Sequence, residues 1–227
     1  MNSGSQAGRA NILLTMLNRT GICGLLLVSL TGCGTAKPVP EDRYFRVDVP
    51  APAVTDRAPV LRGGLLVDRL QTDNLRSGRA IVFRQSGKPL QLQRYHYRFW
   101  SEPPAKMVQH QLTRYLQQAA VASSVFSPEY ALSHRYRLTG RLIEFDRVLA
   151  DNAVTSAVSL EFVLTERGRP APLLSKTYHA QSESSDAQDM HAFARATQQA
   201  LAEVFSALEQ DIRRLVATDG AATLSVW

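Results

Sequence analysis

The thiol of Cys33 is the side chain in this 227-residue sequence whose surroundings most plainly call for chemistry. It follows Leu30-Thr31-Gly32, one branched apolar residue and two small ones, so the peptide bond before it is open to a peptidase and its sulfur is a free nucleophile. The other reactive types form no constellation. His96, His110, His134, His179 and His191 include no pair at the spacing of a helical zinc site, and no His-Glu-x-x-His occurs. There is no Gly-x-Ser-x-Gly elbow and no phosphate-cradling glycine loop. Glu144 and Asp146 sit two apart on one strand face, as paired carboxylates for acid–base chemistry would, but Arg141 and Arg147 flank them and a solvated charged face is the reading. No catalytic group, metal or cofactor is expected, and the chain is read as non-enzymatic.

The segment leading to Cys33 has the order of a secretory signal. Residues 1–32 carry Arg9 and Arg19 as their only charges and end in the apolar run Gly21 to Leu30, too short for the ~20 residues of a spanning helix. Met16 is an alternative start, leaving Met16-Leu17-Asn18-Arg19 as a compact basic region. The tetrapeptide Leu30-Thr31-Gly32-Cys33 resembles the bacterial lipobox. That resemblance implies cleavage before Cys33, a diacylglyceryl group on its sulfur and an acylated new amino terminus. Several acyl chains anchor stably where one holds only marginally. Cys23 then leaves with the signal and Cys33 is consumed by lipid, so the folded domain has no thiol for a disulfide, a metal or a nucleophile. Position 34 is Gly rather than the aspartate of an inner-membrane retention signal, and the outer membrane, facing the periplasm, is expected.

Composition suits a folding globular chain, 44% hydrophobic and 20% charged with mixed signs. The net charge of +6 falls once the signal is removed, because Arg9 and Arg19 go and no acid does, taking 26 basic side chains to 24 against 20 acidic. The remaining arginines read as scattered among strands and helices, without the basic block or aromatic-basic patch of a nucleic-acid binder, and no nucleic-acid partner is expected.

Beyond Cys33, residues 34–42 with Pro38 and Pro40 form a polar tether. Period-two alternation marks strands over 43–49, 60–70, 80–84 and 90–100, with Gly63-Gly64 signalling a bulge or close backbone approach. Ser101-Glu102-Pro103-Pro104 turns the chain into a helix over 104–121, whose buried stripe is Val108, Leu112, Tyr115, Leu116 and Ala119. Strands over 134–148, 153–166 and 173–182 form an antiparallel meander around the turn Arg167-Gly168-Arg169-Pro170. A long helix starts at Ser185, with Ser185 and Gln188 at capping-box spacing, and its stripe runs from Met190 and Phe193 to Ile212 and Leu215. The organisation is a signal over 1–32, a lipidated tether over 33–42, one domain over 43–216 and a flexible tail over 217–227. The expected fold is α+β, a largely antiparallel β-sheet with two helices packed on one face.

These features resemble one family, the ABC-type transport auxiliary lipoproteins typified by paraquat-inducible protein C. The match rests on the lipobox, Tyr44-Phe45-Arg46-Val47, Ile81-Val82-Phe83-Arg84, the corner from Tyr97 to Pro104, and Tyr136 to Phe145; the Trp-x-Glu-Pro-Pro element at 100–104 is its most specific part. The resemblance implies a non-enzymatic component of a transporter moving phospholipid or related lipids between two membranes. Its partners would be an inner-membrane ATPase and permease and a tunnel protein of the mammalian-cell-entry (MCE) type. This chain would be the docking piece at the outer membrane, and because members of the family can form rings, the resemblance also implies a homo-oligomeric ring.

The aromatic corner of Tyr95, Tyr97, Phe99 and Trp100 either fills the core under a helix or lines a groove for acyl chains or a partner, and core filling is the more general outcome. Trp100 alternates away from Tyr97 and Phe99 and is assigned to partner or lipid contact, with Tyr97 and Glu102 beside it. Two rivals are an outer-membrane assembly lipoprotein of the lipopolysaccharide-insertion plug type, and a lipoprotein enzyme, which would need a polar cleft with convergent ionisable groups.

Overall fold

A computed structural model describes residues 39–52, 58–130, 132–151 and 153–224, with side chains to residue 215. The elements are β1 (Arg43–Phe45), β2 (Leu61–Val67), β3 (Gln71–Thr72), β4 (Ala80–Gln85), β5 (Gln93–Trp100), α1 (Pro104–Gln118), β6 (Ala122–Phe126), a 3-10 turn (Pro128–Tyr130), β7 (Tyr136–Leu149), β8 (Val154–Glu166), β9 (Leu174–Glu183) and α2 (Met190–Leu224). All of them lie in the compact unit Glu41–Trp227. The signal, the lipobox and Cys33 lie outside the described residues.

β7 organises the sheet. One of its edges pairs antiparallel with β8 along its whole length, and β8 pairs with β9, which gives the meander that the alternation predicts. The other edge receives three strands in succession, all parallel: β2 against Tyr136–Leu138, β3 against Arg141–Leu142, and β4 against Asp146–Leu149. β6 extends the sheet beyond β2, and β5 then β1 extend it beyond β4. The α+β class is as expected, and the sheet is mixed: the meander is antiparallel, while the additions around it are mostly parallel. Periodicity marks which face of a strand is buried and carries no information about the direction of its neighbour, so the parallel pairings are invisible to it.

The helices and the sheet share one apolar core. The predicted stripe of α1 is buried throughout, and so is that of α2 as far as Ile212. Trp100, Phe162, Phe193 and Phe205 are the largest fully buried side chains, each contributing about 1.5–3 kcal/mol of transfer free energy by its burial. The helices meet where the Tyr115 and Phe205 rings pack at 5.6 Å and the Tyr115 hydroxyl donates to Glu209. No helix among the described residues is long and apolar enough to cross a membrane.

Several boundaries move for local reasons. α2 begins at Met190, because Asp189 accepts hydrogen bonds from the His191 and Ala192 amides and caps it, while Asp186 accepts from Gln188 and Asp189 and holds the preceding turn. The helix also continues to Leu224, through the segment read as a flexible tail. α1 stops at Gln118 in a Schellman arrangement: the Val121 amide donates to Leu116 and the Ala120 amide to Gln117, with Ala120 at a φ of +48°. Gly63 does sit at a register shift in β2, at a φ of +139°. β3, β6 and the 3-10 turn were not predicted.

Candidate functional site

The corner after β5 is built by backbone bonds. The Trp100 amide donates to Arg79 and the Ser101 amide to Phe45, both at 2.7 Å, which fastens the end of β5 between β4 and β1. Pro103 and Pro104 then start α1, with the Lys106 and Met107 amides donating to the Pro103 carbonyl at 3.0 Å.

The three residues assigned to a common contact are not brought together. Trp100 is 0% exposed, its ring between Phe145 at 5.1 Å and Phe193 at 5.8 Å, so its assignment to a surface contact is corrected to the core. The cause is an irregularity in β5. Ala80 pairs with Phe99 but Val82 pairs with Arg94, so β5 carries extra residues between these points and the alternation changes face. Tyr95 therefore shares the helix-side face with Phe83, their rings 4.5 Å apart. Tyr97 and Phe99 come out on the opposite face, where Tyr97 is 41% exposed and Phe99 stacks on Tyr44 at 5.5 Å.

Glu102 stands at the foot of α1, half-exposed. Lys106 donates to it at 2.9 Å and His110 Nδ1 lies 3.4 Å away, and the Lys106 hydrogen bond above all holds its carboxyl below the ordinary value. Glu102, Lys106, His110 and Arg114 form an i, i+4 row along α1. Two grooves flank the helix. One, of about 300 Å³, opens between Leu70, Pro103, Lys106 and Gln109. The other, of about 390 Å³, lies between His110 and the Val125-Phe126 end of β6 and is rimmed by Tyr130 and Leu132, which are 68% and 56% exposed. This second groove has no counterpart in the sequence reading, because β6 does not alternate; the apolar pair Val125-Phe126 before Pro128 is the trace it leaves.

The carboxylates that invited an acid–base reading are held by arginines. Arg76 grips Asp146, which is 1% exposed, and Arg84 pairs with Glu144. The expected solvated charged face is thus a buried ion network on the side of the sheet away from the helices. Asp73 joins it, since Arg76 donates to it from both backbone and side chain. Among the described residues no group of three or more His, Cys, Asp or Glu could hold a metal.

A family model described as ABC-type transport auxiliary lipoprotein component matches residues 39–209. The chain belongs to the ABC-type transport auxiliary lipoprotein family. The match runs from the tether through the whole sheet and most of α2, so sheet, corner and both grooves belong to the ABC-type transport auxiliary lipoprotein domain. In solved structures the fold is similar to protein XCC0632 from Xanthomonas campestris, a DUF330 protein, with a TM-score of 0.68 at 20% identity, covering 79% of this chain and 99% of that one. It is also similar to an uncharacterized protein, with a TM-score of 0.58 at 15% identity, covering 76% and 99%. At these identities the likeness is one of fold. No curated protein matches the sequence.

Proposed function

We propose that the mature protein is a non-enzymatic lipoprotein of the outer membrane, facing the periplasm, that docks the MCE-type tunnel protein of an ABC lipid transporter. The observation that carries this reading is the family match over residues 39–209, taken with the lipobox ending at Cys33. The acylated cysteine holds the domain on the membrane, and the tether of residues 34–42 gives it reach. The cargo class is phospholipid or a related lipid, and the partners are the tunnel protein with its ATPase and permease. The reading assigns the grooves along α1 to the tunnel protein, because the rim at Tyr130 and Leu132 exposes apolar surface beside a charged ridge.

The test is a pull-down from detergent-solubilised envelopes with mass spectrometry of proteins and lipids, run on wild type, Cys33→Ala and the double variant Tyr130→Ser, Leu132→Ser. Wild type is expected to bring down an MCE protein with its ATPase and permease. Cys33→Ala loses membrane retention, and the double variant loses the partners while keeping its unfolding midpoint. A β-barrel as the recovered partner would favour the assembly-lipoprotein rival.

A further inference from the structure

Five arginines at one end of the sheet stand without an acid. Arg43 and Arg46 lie in and just after β1, Arg79 just before β4, and Arg94 and Arg98 in β5; among the described residues none has a carboxylate within ion-pair distance, whereas Arg69, Arg76, Arg84, Arg114, Arg135 and Arg137 all do. The cause is compositional. Between Asp73 and Glu102 the chain has no acidic residue and six basic ones. Folding brings the strands of this stretch, β4 and β5, against β1, so cations that look dispersed along the sequence are concentrated in space.

Aromatic side chains stand among these cations on both faces of this edge, the Arg98 guanidinium lying 4.8 Å from the Tyr95 ring centre on the helix side. On the face away from the helices Tyr44 is 51% exposed and stacks on Phe99, the Arg79 guanidinium lies 5.3 Å from the Tyr44 ring centre, and Tyr97 is exposed two residues before Phe99. Asp42, in contact with the Tyr44 hydroxyl at 3.3 Å, is an acid beside them. Exposed tyrosines beside arginines without a carboxylate partner suit the headgroup region of an anionic bilayer, where aromatic rings take the interfacial level and cations are drawn to the negative surface.

We infer that this β1–β5–β4 end of the sheet seats on the anionic phospholipid surface that holds the Cys33 lipids, as a second membrane contact made by side chains. The route of the chain supports this occupant. β1 is the first element after the tether, and the eleven peptide units from Cys33 to Tyr44 span at most about 40 Å when fully extended. The strand that carries Tyr44 is thus the part of the domain closest along the chain to the lipid anchor. A stable lipid anchor on a short tether holds this surface beside the bilayer at high effective concentration, so a weak side-chain contact suffices to seat it. The inference rests on the proposed acylation of Cys33.

The experiment uses the full acylated protein in phosphatidylethanolamine vesicles with and without phosphatidylglycerol. With Cys33 acylated, a Tyr97→Cys variant offers a single thiol for a nitroxide label, and Leu132→Cys serves as control. Flotation reports the anchor, and collisions of the label with oxygen and with a water-soluble nickel chelate report immersion. The expected result is flotation in every case, with the label at 97 several-fold more accessible to oxygen than to nickel only when phosphatidylglycerol is present. That preference disappears in Arg43→Gln, Arg79→Gln, Arg94→Gln and at high salt, where screening shortens to about 3 Å, and the label at 132 stays accessible to nickel throughout. Flotation with the label at 97 in water under all compositions overturns the inference and leaves the anchor standing; absence of flotation overturns both. Binding of single-stranded DNA without any response to phosphatidylglycerol also overturns it, since a cationic aromatic surface of that kind reads as a nucleic-acid platform.

Discussion

Arg76 meets Asp146 through two hydrogen bonds, Nε to Oδ1 at 2.9 Å and Nη2 to Oδ2 at 2.6 Å, and both side chains are buried. The pair ties the connection between β3 and β4 down onto β7. Removing one partner leaves the other charge buried with only its lesser contact, Asp73 for Arg76 and Arg84 for Asp146, so Arg76→Ala and Asp146→Ala should each cost up to about 3–5 kcal/mol. The combined Arg76→Met, Asp146→Leu variant, with no charge left to strand, should recover much of that loss. Urea unfolding of the four proteins checks the non-additivity.

Asp211 gives the domain an acid-sensitive clasp between α2 and β9. Burial by itself pushes its carboxyl up, but Lys176 and Tyr178 donate to it at 2.7 and 2.8 Å and prevail, holding it below 3.8. A carboxyl lowered by folding contributes stability that is present above the unfolded value and lost as pH falls through the folded one. Asp211→Asn should therefore be less stable near neutrality and show a flatter dependence below about pH 4. Urea midpoints measured across that range distinguish the two slopes.

Two backbone positions should both favour glycine over alanine, one for its φ and the other for lack of space. Ala120 holds a left-handed conformation that costs an L-residue roughly 1–2 kcal/mol, so Ala120→Gly should stabilise by up to ~1 kcal/mol once the extra chain entropy of glycine is subtracted. At Gly140 a methyl group would meet the Glu161 carbonyl oxygen at 2.7 Å and the Phe162 ring at 2.8 Å, and Gly140→Ala should cost about 1–3 kcal/mol. Thermal melts of both variants check the signs.

Trp100→Ala should lose about 3–5 kcal/mol, the cost of emptying a large aromatic site in the core. Trp100→Phe should lose much less, because it retains a ring between Phe145 and Phe193 and removes an indole N–H that has no acceptor in the protein. If the residue instead contacted a partner, Trp100→Ala would keep its melting temperature and lose only the pull-down.

Alternation through Val158, Leu160, Phe162 and Leu164 is clean, and β7, β8 and β9 lie within a residue or two of where the sequence pattern places them. The stripes of α1 and α2 were equally readable, because each repeats at helical spacing over several turns. Trp100 was misplaced by counting alternate residues from Tyr95 across an irregularity set by the partner strand β4, which β5's own residues do not reveal. β3 and β6 form only because β7 and β2 offer them edges, and stretches of two and five residues hold too few repeats to show a period. The basic end of the sheet was legible as an absence of acids between Asp73 and Glu102, but a search for blocks of adjacent cations passes over it. The reading of Cys33 is the reverse case: it rests on local sequence alone, and the residue lies outside the described part of the fold.

The segment after β1 bears on how the domain resists being pulled. β1 itself holds β5 through only three residues, from Arg43 to Phe45. Just beyond it, Arg114 of α1 donates to Asp48 and to the Val49 carbonyl, Gln111 of α1 accepts from the Val49 amide, and Gln198 of α2 accepts from the Asp48 amide. Tension applied through the segment before β1 would therefore pass within a few residues to both helices. Under such a load the helix contacts of Asp48 and Val49 would carry the force into the core, so the three residue pairs of β1 need not bear it alone.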